Sequence, residues 1–298
     1  MKLLLMLNSV SGKAQLARQA YQIIEALTLR GYEVTVLPIN PDRGLGTDGI
    51  SESYIAQFDM VVCGGGDGTI NHTVNMLLHM DKRPVLGYIP AGSTNDFARI
   101  MGIPGTVEDA CRVITDGAPF SYDIGTLNGA AFNYVAAFGA FSAISYATNQ
   151  QLKNVLGYAA YILSAISELS QNLRYSCHMK IEADSFKSED DYIFGAVCNS
   201  VNVGGMKLFE NKDIRLSDGK MEILLIKAPE TVADIPLILN AIGRGELDGP
   251  YLSFHKITKA KLIAEGDTAW TVDGEFGGEM KEADIRVHAR AVTIMAGR

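Results

Sequence analysis

The sequence predicts two domains of different class, an α/β domain built on a parallel sheet followed by a β-rich domain. Three observations predict it. At 298 residues the chain exceeds the roughly 100–200 residues of one ordinary domain. Its first third alternates apolar runs with helical periodicity, the rhythm of a parallel sheet covered on both faces. After about residue 120 the pattern changes: Asn128-Gly129 lies between two strand-like runs, a tight-hairpin signal.

Leu3 to Leu7 reads as a buried strand. A helix follows from Ala14, with Leu16, Ala20, Ile23, Ile24 and Leu27 on one face and Gly31 to stop it. Strands are expected at 32–37, 59–63 and 84–88, with helical segments near 50–57, 70–80 and 94–101. The polar stretch Pro41 to Gly49 is a loop long for such a domain. In the second part a long apolar helix is expected over Gln151 to Asn172, carrying Tyr158 and Tyr161, which read as core packing. Alternating runs at 175–183, 192–201, 221–227, 256–264 and 285–295 read as strands. In open parallel sheets ligands gather at the carboxyl ends of the strands, so the loops there are the place to look for chemistry.

Composition narrows the partners. A net charge of −8 with no long Lys/Arg run disfavours nucleic acid and a polybasic membrane anchor. The run at Leu3 is shorter than the apolar core of a signal peptide, and Val155 to Ile166 falls short of the ~20 residues that cross a bilayer. A soluble protein is expected. The four cysteines, Cys63, Cys111, Cys177 and Cys198, are scattered without a CxxC pair, which suits a reducing cytoplasm and suggests neither a zinc site nor a redox dithiol. The five histidines show no metal-ligand spacing and read as structural.

Gly64-Gly65-Gly66-Asp67-Gly68-Thr69 follows a strand and opens a helix. Main-chain N–H groups and the helix dipole there favour a phosphate, and glycine lets it approach the backbone. Two familiar alternatives fail on spacing. A dinucleotide fingerprint would need glycine at Thr69, and Gly12-Lys13 lacks the upstream glycine and the following Ser/Thr of a P-loop. A second loop, Pro90 to Arg99, contains Ser93, Asn95 and Asp96 and comes to the same sheet edge; Asn8 to Lys13, with Ser11 and Gly12, supplies a third, with Lys13 as a charge partner for phosphate.

Gly-Gly-Asp-Gly-Thr, then Ser-Thr-Asn-Asp-Phe-Ala-Arg, then Asp123-Ile124-Gly125, then Asp273-Gly274-Glu275 together resemble the bacterial diacylglycerol kinase and related lipid kinase family, whose catalytic region recurs in sphingosine and ceramide kinases. The resemblance covers essentially the whole chain. It implies a doubly wound nucleotide-binding domain over 1–122, a β-sandwich lipid-binding domain over 123–284, a cleft between them and a final strand over 285–298 returning to the first domain. ATP would be held by Gly64 to Ile70, by Ser11 to Lys13 and by Ser93. Glu275 would take the lipid hydroxyl proton, with Asp273 second in line for that role. A magnesium ion would be held by Asp218 and the carbonyls of Arg215 and Lys220. Asp67, Asp96 and Asp123 would reach the metals through water, with Arg99 as a charge partner. The acceptor would be a lipid alcohol, diacylglycerol first, met in transient contact with the membrane surface by a cytoplasmic protein able to form a homodimer. Two departures stand out: Leu37-Pro38-Ile39-Asn40-Pro41 lacks the family's ATP-contacting threonine, and Ser9 stands where proline is common. The competing readings are an NAD kinase-like enzyme, which shares the glycine-aspartate loop, and a non-catalytic lipid or nucleotide sensor of the same fold.

Overall fold

The structure, a computed structural model, describes residues 1–11, 15–47, 49–139, 176–200 and 215–297. The expected helix over Gln151 to Asn172, with Tyr158 and Tyr161, lies outside the described residues. The chain divides into two compact units, one of Met1–Tyr122 with Arg290–Arg298 and one of Asp123–Ala289.

Unit 1 is α/β. Its strands β1 (Lys2–Asn8), β2 (Glu33–Ile39), β3 (Met60–Gly65) and β4 (Val85–Pro90) are parallel in the order β2-β1-β3-β4. Leu3 to Met6 and Val61 to Cys63 are fully buried, as strands covered on both faces must be. Edge strand β2 is mostly exposed and carries Pro38, whose missing N–H suits an edge.

Helix α1 (Gln15–Leu29) buries Leu16, Ile23 and Leu27. Short α2 (Glu52–Ile55) is capped by the Ser51 hydroxyl. Helix α3 (Asp67–Leu78) buries Ile70, Val74 and Leu77. It starts three residues before the apolar periodicity does, because Asp67, Gly68 and Thr69 form its first turn. After α4 (Asp96–Ile100) comes α5 (Val107–Asp116), a helix the pattern reading missed although Thr106 accepts from the Asp109 N–H in a capping arrangement. Opposite faces of the sheet are covered: a Cβ on Gly64 of β3 would meet Leu16 of α1 and one on Gly87 of β4 would meet Ile114 of α5, while Cys63 of β3 reaches Thr73 of α3.

Unit 2 is β-rich and largely antiparallel. Strand β5 (Ala118–Leu127) enters it and turns into β6 (Ala130–Phe132) through Asn128-Gly129, with φ of 49° and 89°, the left-handed pair that a two-residue hairpin demands. Strands β7 (Val135–Gly139), β8 (Cys177–Ala183), β9 (Lys187–Cys198), β10 (Met221–Lys227), β11 (Leu252–Ile257), β12 (Lys259–Val272) and β13 (Glu275–Ala296) follow, with order β11-β10-β9-β7-β12-β13 and β8 pairing β9 and β12. Helix α6 (Asp234–Arg244) covers one face through Ile235 and Ile238, packed on Phe194, Leu224 and Ile226. The other core gathers Phe132, Phe138, Tyr192, Ile223, Leu225 and Trp270, with Phe138 and Trp270 rings 5.0 Å apart.

The end of β13 belongs to unit 1, where Ile294 pairs in parallel with Leu86. The stretch of β13 that falls in unit 1 starts at Arg290, which has φ 49°.

Candidate active site

In unit 1 the described part of the first loop is tied to the glycine loop by a side chain. Asn8 donates from Nδ2 to Thr69 Oγ1 at 2.8 Å, and its Oδ1 accepts from the Val10 N–H. Ser9 is held to the end of β2 through its N–H to the Ile39 carbonyl, 2.9 Å. Ser11 is partly exposed, and Gly12 and Lys13 lie outside the described residues. Gly66 caps α3 without a side chain to occupy the first-turn donors, which is the geometry that receives an anion.

The glycine loop touches the second loop backbone to backbone. A Cβ on Gly92 would sit 2.8 Å from both Gly66 Cα and Asn95 Oδ1. Gly65 uses its carbonyl to accept from the Ala91 N–H and the Tyr88 hydroxyl. Asn95 stands at φ 51°, a conformation asparagine tolerates better than most, and its amide bonds both the N–H and the carbonyl of Gly92. Asp67 accepts from Thr94 Oγ1 and from the N–H groups of Asp96 and Phe97, so it caps α4. Ser93 is exposed beside it. Asp96 pairs with Arg99 at 3.0 Å. Burial raises its carboxyl above the ordinary range, Arg99 opposes that, and the Asp67 charge adds to it.

In unit 2, Asp273 and Gly274 form the two-residue turn between β12 and β13, with φ of 48° and 86°. Asp273 is buried, and its carboxylate accepts from the N–H groups of Asn133, Tyr134 and Val135 and from Asn133 Nδ2 at 2.8–3.1 Å. Its carbonyl takes the Tyr134 hydroxyl. The Asp273 carboxylate is thus enclosed by donors that a charged acceptor satisfies well, whereas Glu275, first residue of β13, is exposed. The two acidic residues of one turn have opposite surroundings.

Arg215 to Lys220 forms a turn closed on Asp123, which is fully buried. Asp123 donates its N–H to the Leu216 carbonyl, and its Oδ2 accepts from the Gly219 N–H at 2.7 Å. Asp218 accepts the Lys220 N–H at Oδ1 and meets Lys256 Nζ at Oδ2, 3.1 Å. Among the described residues no three His, Cys, Asp or Glu side chains gather as metal ligands. The Asp218 carboxylate and the main-chain carbonyls of the turn are hard oxygen donors of the kind that suits magnesium; Asp218 faces the Lys256 ammonium. Glu222 and Lys256 were missed by motif reading. The available signal was an acidic residue inside the apolar run Met221 to Ile226; burial pushes that carboxyl up to about 7, against the opposing charge of Lys256.

Residues 2–127 match the diacylglycerol kinase catalytic domain. The chain is 29% identical over 289 residues to the diacylglycerol kinase of Bacillus subtilis (strain 168), covering 97% of this chain and 94% of that one. It is 30% identical over 274 residues to the diacylglycerol kinase of Staphylococcus aureus (strain MRSA252), covering 92% and 85%. A solved structure of a diacylglycerol kinase from Bacillus anthracis str. Sterne shares the fold, with a TM-score of 0.74 at 20% identity over 99% of this chain and 97% of that one. Two units, an α/β one with a glycine-rich loop at the start of α3 and a β-rich one with an acidic hairpin, define the class. The chain belongs to the diacylglycerol kinase family.

Proposed function

We propose that the protein transfers the γ-phosphoryl group of ATP to a lipid hydroxyl, with diacylglycerol as the acceptor and phosphatidic acid as the product. The observation that carries this reading is the match to the Bacillus subtilis diacylglycerol kinase along 97% of the chain, which spans both units. Unit 1 acts as a doubly wound nucleotide domain and unit 2 as a sandwich that receives the lipid. ATP phosphates rest on Gly64 to Thr69 at the start of α3, with Ser11, Gly12, Lys13 and Ser93 completing the grip; Asn8, Asn95 and Asp67 hold those loops in shape.

Glu275 accepts the lipid hydroxyl proton while the hydroxyl oxygen bonds to the γ-phosphorus and the bond to the β-phosphate oxygen breaks, releasing ADP. Phosphoryl transfer needs mainly positioning and charge stabilisation, with modest help from a base. The burial of the Asp273 carboxylate under four N–H donors supports Glu275 for the proton and Asp273 for holding the turn that presents it. Asp218, with the carbonyls of Arg215 and Lys220, holds magnesium, and Asp123 shapes that loop. A magnesium ion, when bound, offsets the negative charge that collects there. Asp96 and Arg99 flank the nucleotide loop. The protein acts in the cytoplasm, as a monomer or homodimer, and touches the membrane transiently to reach its substrate; no helix among the described residues is long and apolar enough to cross a bilayer.

The test is transfer from γ-labelled ATP with magnesium in mixed micelles holding a panel of lipid alcohols, plus NAD, for wild type and Glu275→Gln. Label is expected on diacylglycerol, slowed ~100-fold to 10,000-fold in the variant. Label on NAD would overturn the lipid reading, and ATP binding without any labelled product would favour a sensor.

A further inference from the structure

Three charged side chains beside the Arg215 to Lys220 loop do more than the motif assigns. Lys256 on β11 and Glu222 on β10 are cross-strand partners, so their side chains rise from the same face of the ladder. Lys256 Nζ lies 3.1 Å from Asp218 Oδ2 and 3.5 Å from Glu222 Oε1. Glu222 is 1% exposed, and neither of its oxygens has a hydrogen-bond partner. A buried carboxylate whose contact with a positive group is that long ion pair is under-satisfied, which leaves Glu222 able to take a closer donor. Among the described residues the ammonium within reach is that of Lys256, and it is engaged, at the shorter distance, with Asp218. Two carboxylates and one ammonium leave an excess negative charge in a half-enclosed place, and an added divalent cation would reverse that excess.

We propose that Lys256 is the resident counter-cation of Asp218 and that Glu222 is the carboxylate that receives its ammonium when a divalent cation takes Asp218. The cross-strand pairing allows the exchange by side-chain rotation alone. Glu222 and Lys256 are positioning residues: they set how tightly the loop takes metal without being ligands themselves. This inference rests on the reading of Asp218 as the magnesium ligand.

The experiment is calorimetric titration of the full chain with Mg²⁺ alone at pH 8, without nucleotide or lipid, for wild type, Glu222→Gln, Lys256→Met, the double variant and Asp218→Asn. Removing the Glu222 charge leaves the ammonium only Asp218 to pair with, so Glu222→Gln is expected to weaken Mg²⁺ binding about tenfold. Removing the competing ammonium has the opposite sign: Lys256→Met is expected to bind more tightly than wild type, and the double variant to recover at least wild-type affinity. Circular dichroism checks each fold. If Glu222→Gln does not fold, Lys256→Met decides alone, with tighter binding in favour and equal or weaker binding against. Loss of binding in Asp218→Asn together with unchanged affinity in folded Glu222→Gln would overturn this inference and leave the ligand assignment standing. Unchanged binding in Asp218→Asn would remove the ligand assignment and the inference with it.

Discussion

Replacing Asp273 by asparagine separates the two acidic residues of the β12–β13 turn. Asparagine keeps the side-chain shape and accepts φ 48° with little backbone penalty, so the change acts on the carboxylate alone. In wild type that carboxylate serves four N–H donors, at 2.8 and 3.1 Å on Oδ2 and 3.0 and 3.1 Å on Oδ1. An amide presents one oxygen, which can serve two of them; the other two then face an NH₂ group that is itself a donor. Hydrogen bonds to a charged group contribute roughly 1.5–3 kcal/mol each, and unsatisfied buried donors cost a similar amount. Losing two gives a destabilisation of about 3–6 kcal/mol.

Trp270, the single tryptophan, is 1% exposed on β12 and reports on unit 2. Its fluorescence in a urea titration is the natural assay. With a slope near 2 kcal/mol per molar, the midpoint should fall by about 2 M. Glu275→Gln should leave the same midpoint unmoved, because Glu275 is exposed, while its transfer rate collapses. A midpoint for Asp273→Asn within about 0.3 M of wild type would refute the clamp and return Asp273 to the chemistry as a candidate base.

Gly92→Ala should raise the KM for ATP about tenfold or more, since its Cβ would stand 2.8 Å from the Gly66 Cα and force the two loops apart; Gly105→Ala, with open space around it, is the silent control. Asn95→Ala should destabilise unit 1 by about 2 kcal/mol, combining two lost hydrogen bonds with a left-handed backbone, and Asn95→Gly should recover about half of that in thermal melts followed by circular dichroism. Native protein should show one thiol reacting readily with a disulfide reagent: burial raises Cys63 to about 12 and Cys111 to about 11 and pushes Cys198 up as well, whereas Cys177 is partly exposed. Two or more fast thiols without denaturant would contradict that packing.

The fold was legible where periodicity is strong. β1, β3 and β4 are apolar runs because the sheet is covered on both faces, and β10 begins and ends where its run does, at Met221 and Lys227. These two turns both sit at an Asx-Gly pair: Asn128-Gly129 reads as a hairpin by pattern, and Asp273-Gly274 reads as one too when taken apart from the other motifs. α5 was overlooked although its signal was there: the buried Val107, Ala110, Cys111 and Ile114 stand at i, i+3, i+4 and i+7 behind a cap at Thr106. The start of α3 was placed late because glycine and aspartate argue against helix by propensity, yet at a first turn Asp67 suits the dipole and the glycines leave the donors open.

What the sequence could not convey is how its acidic residues divide their work. Asp67, Asp123 and Asp273 stand in the motifs as candidates for metal or proton, but each accepts main-chain N–H groups: Asp67 from Asp96 and Phe97, Asp123 from Gly219, Asp273 from Asn133, Tyr134 and Val135. A carboxylate in that position does for a loop what a strand partner does for a strand, fixing backbone that has no ladder of its own. The acidic groups left presented are the exposed Glu275, Asp96 beside Arg99, and Asp218 beside Lys256. Spacing along the chain cannot sort these two classes, because the donors that occupy Asp273 come from residues some 140 positions away. It follows that substitutions in the first class should act through loop geometry and be partly rescued by Asn or Ser acceptors, whereas Glu275→Gln should be beyond rescue by shape. Comparing Asp67→Asn with Asp67→Ala tests this: the amide should retain more ATP affinity than the alanine, and equal losses would mean that charge at Asp67, not its hydrogen bonding, is what the site requires.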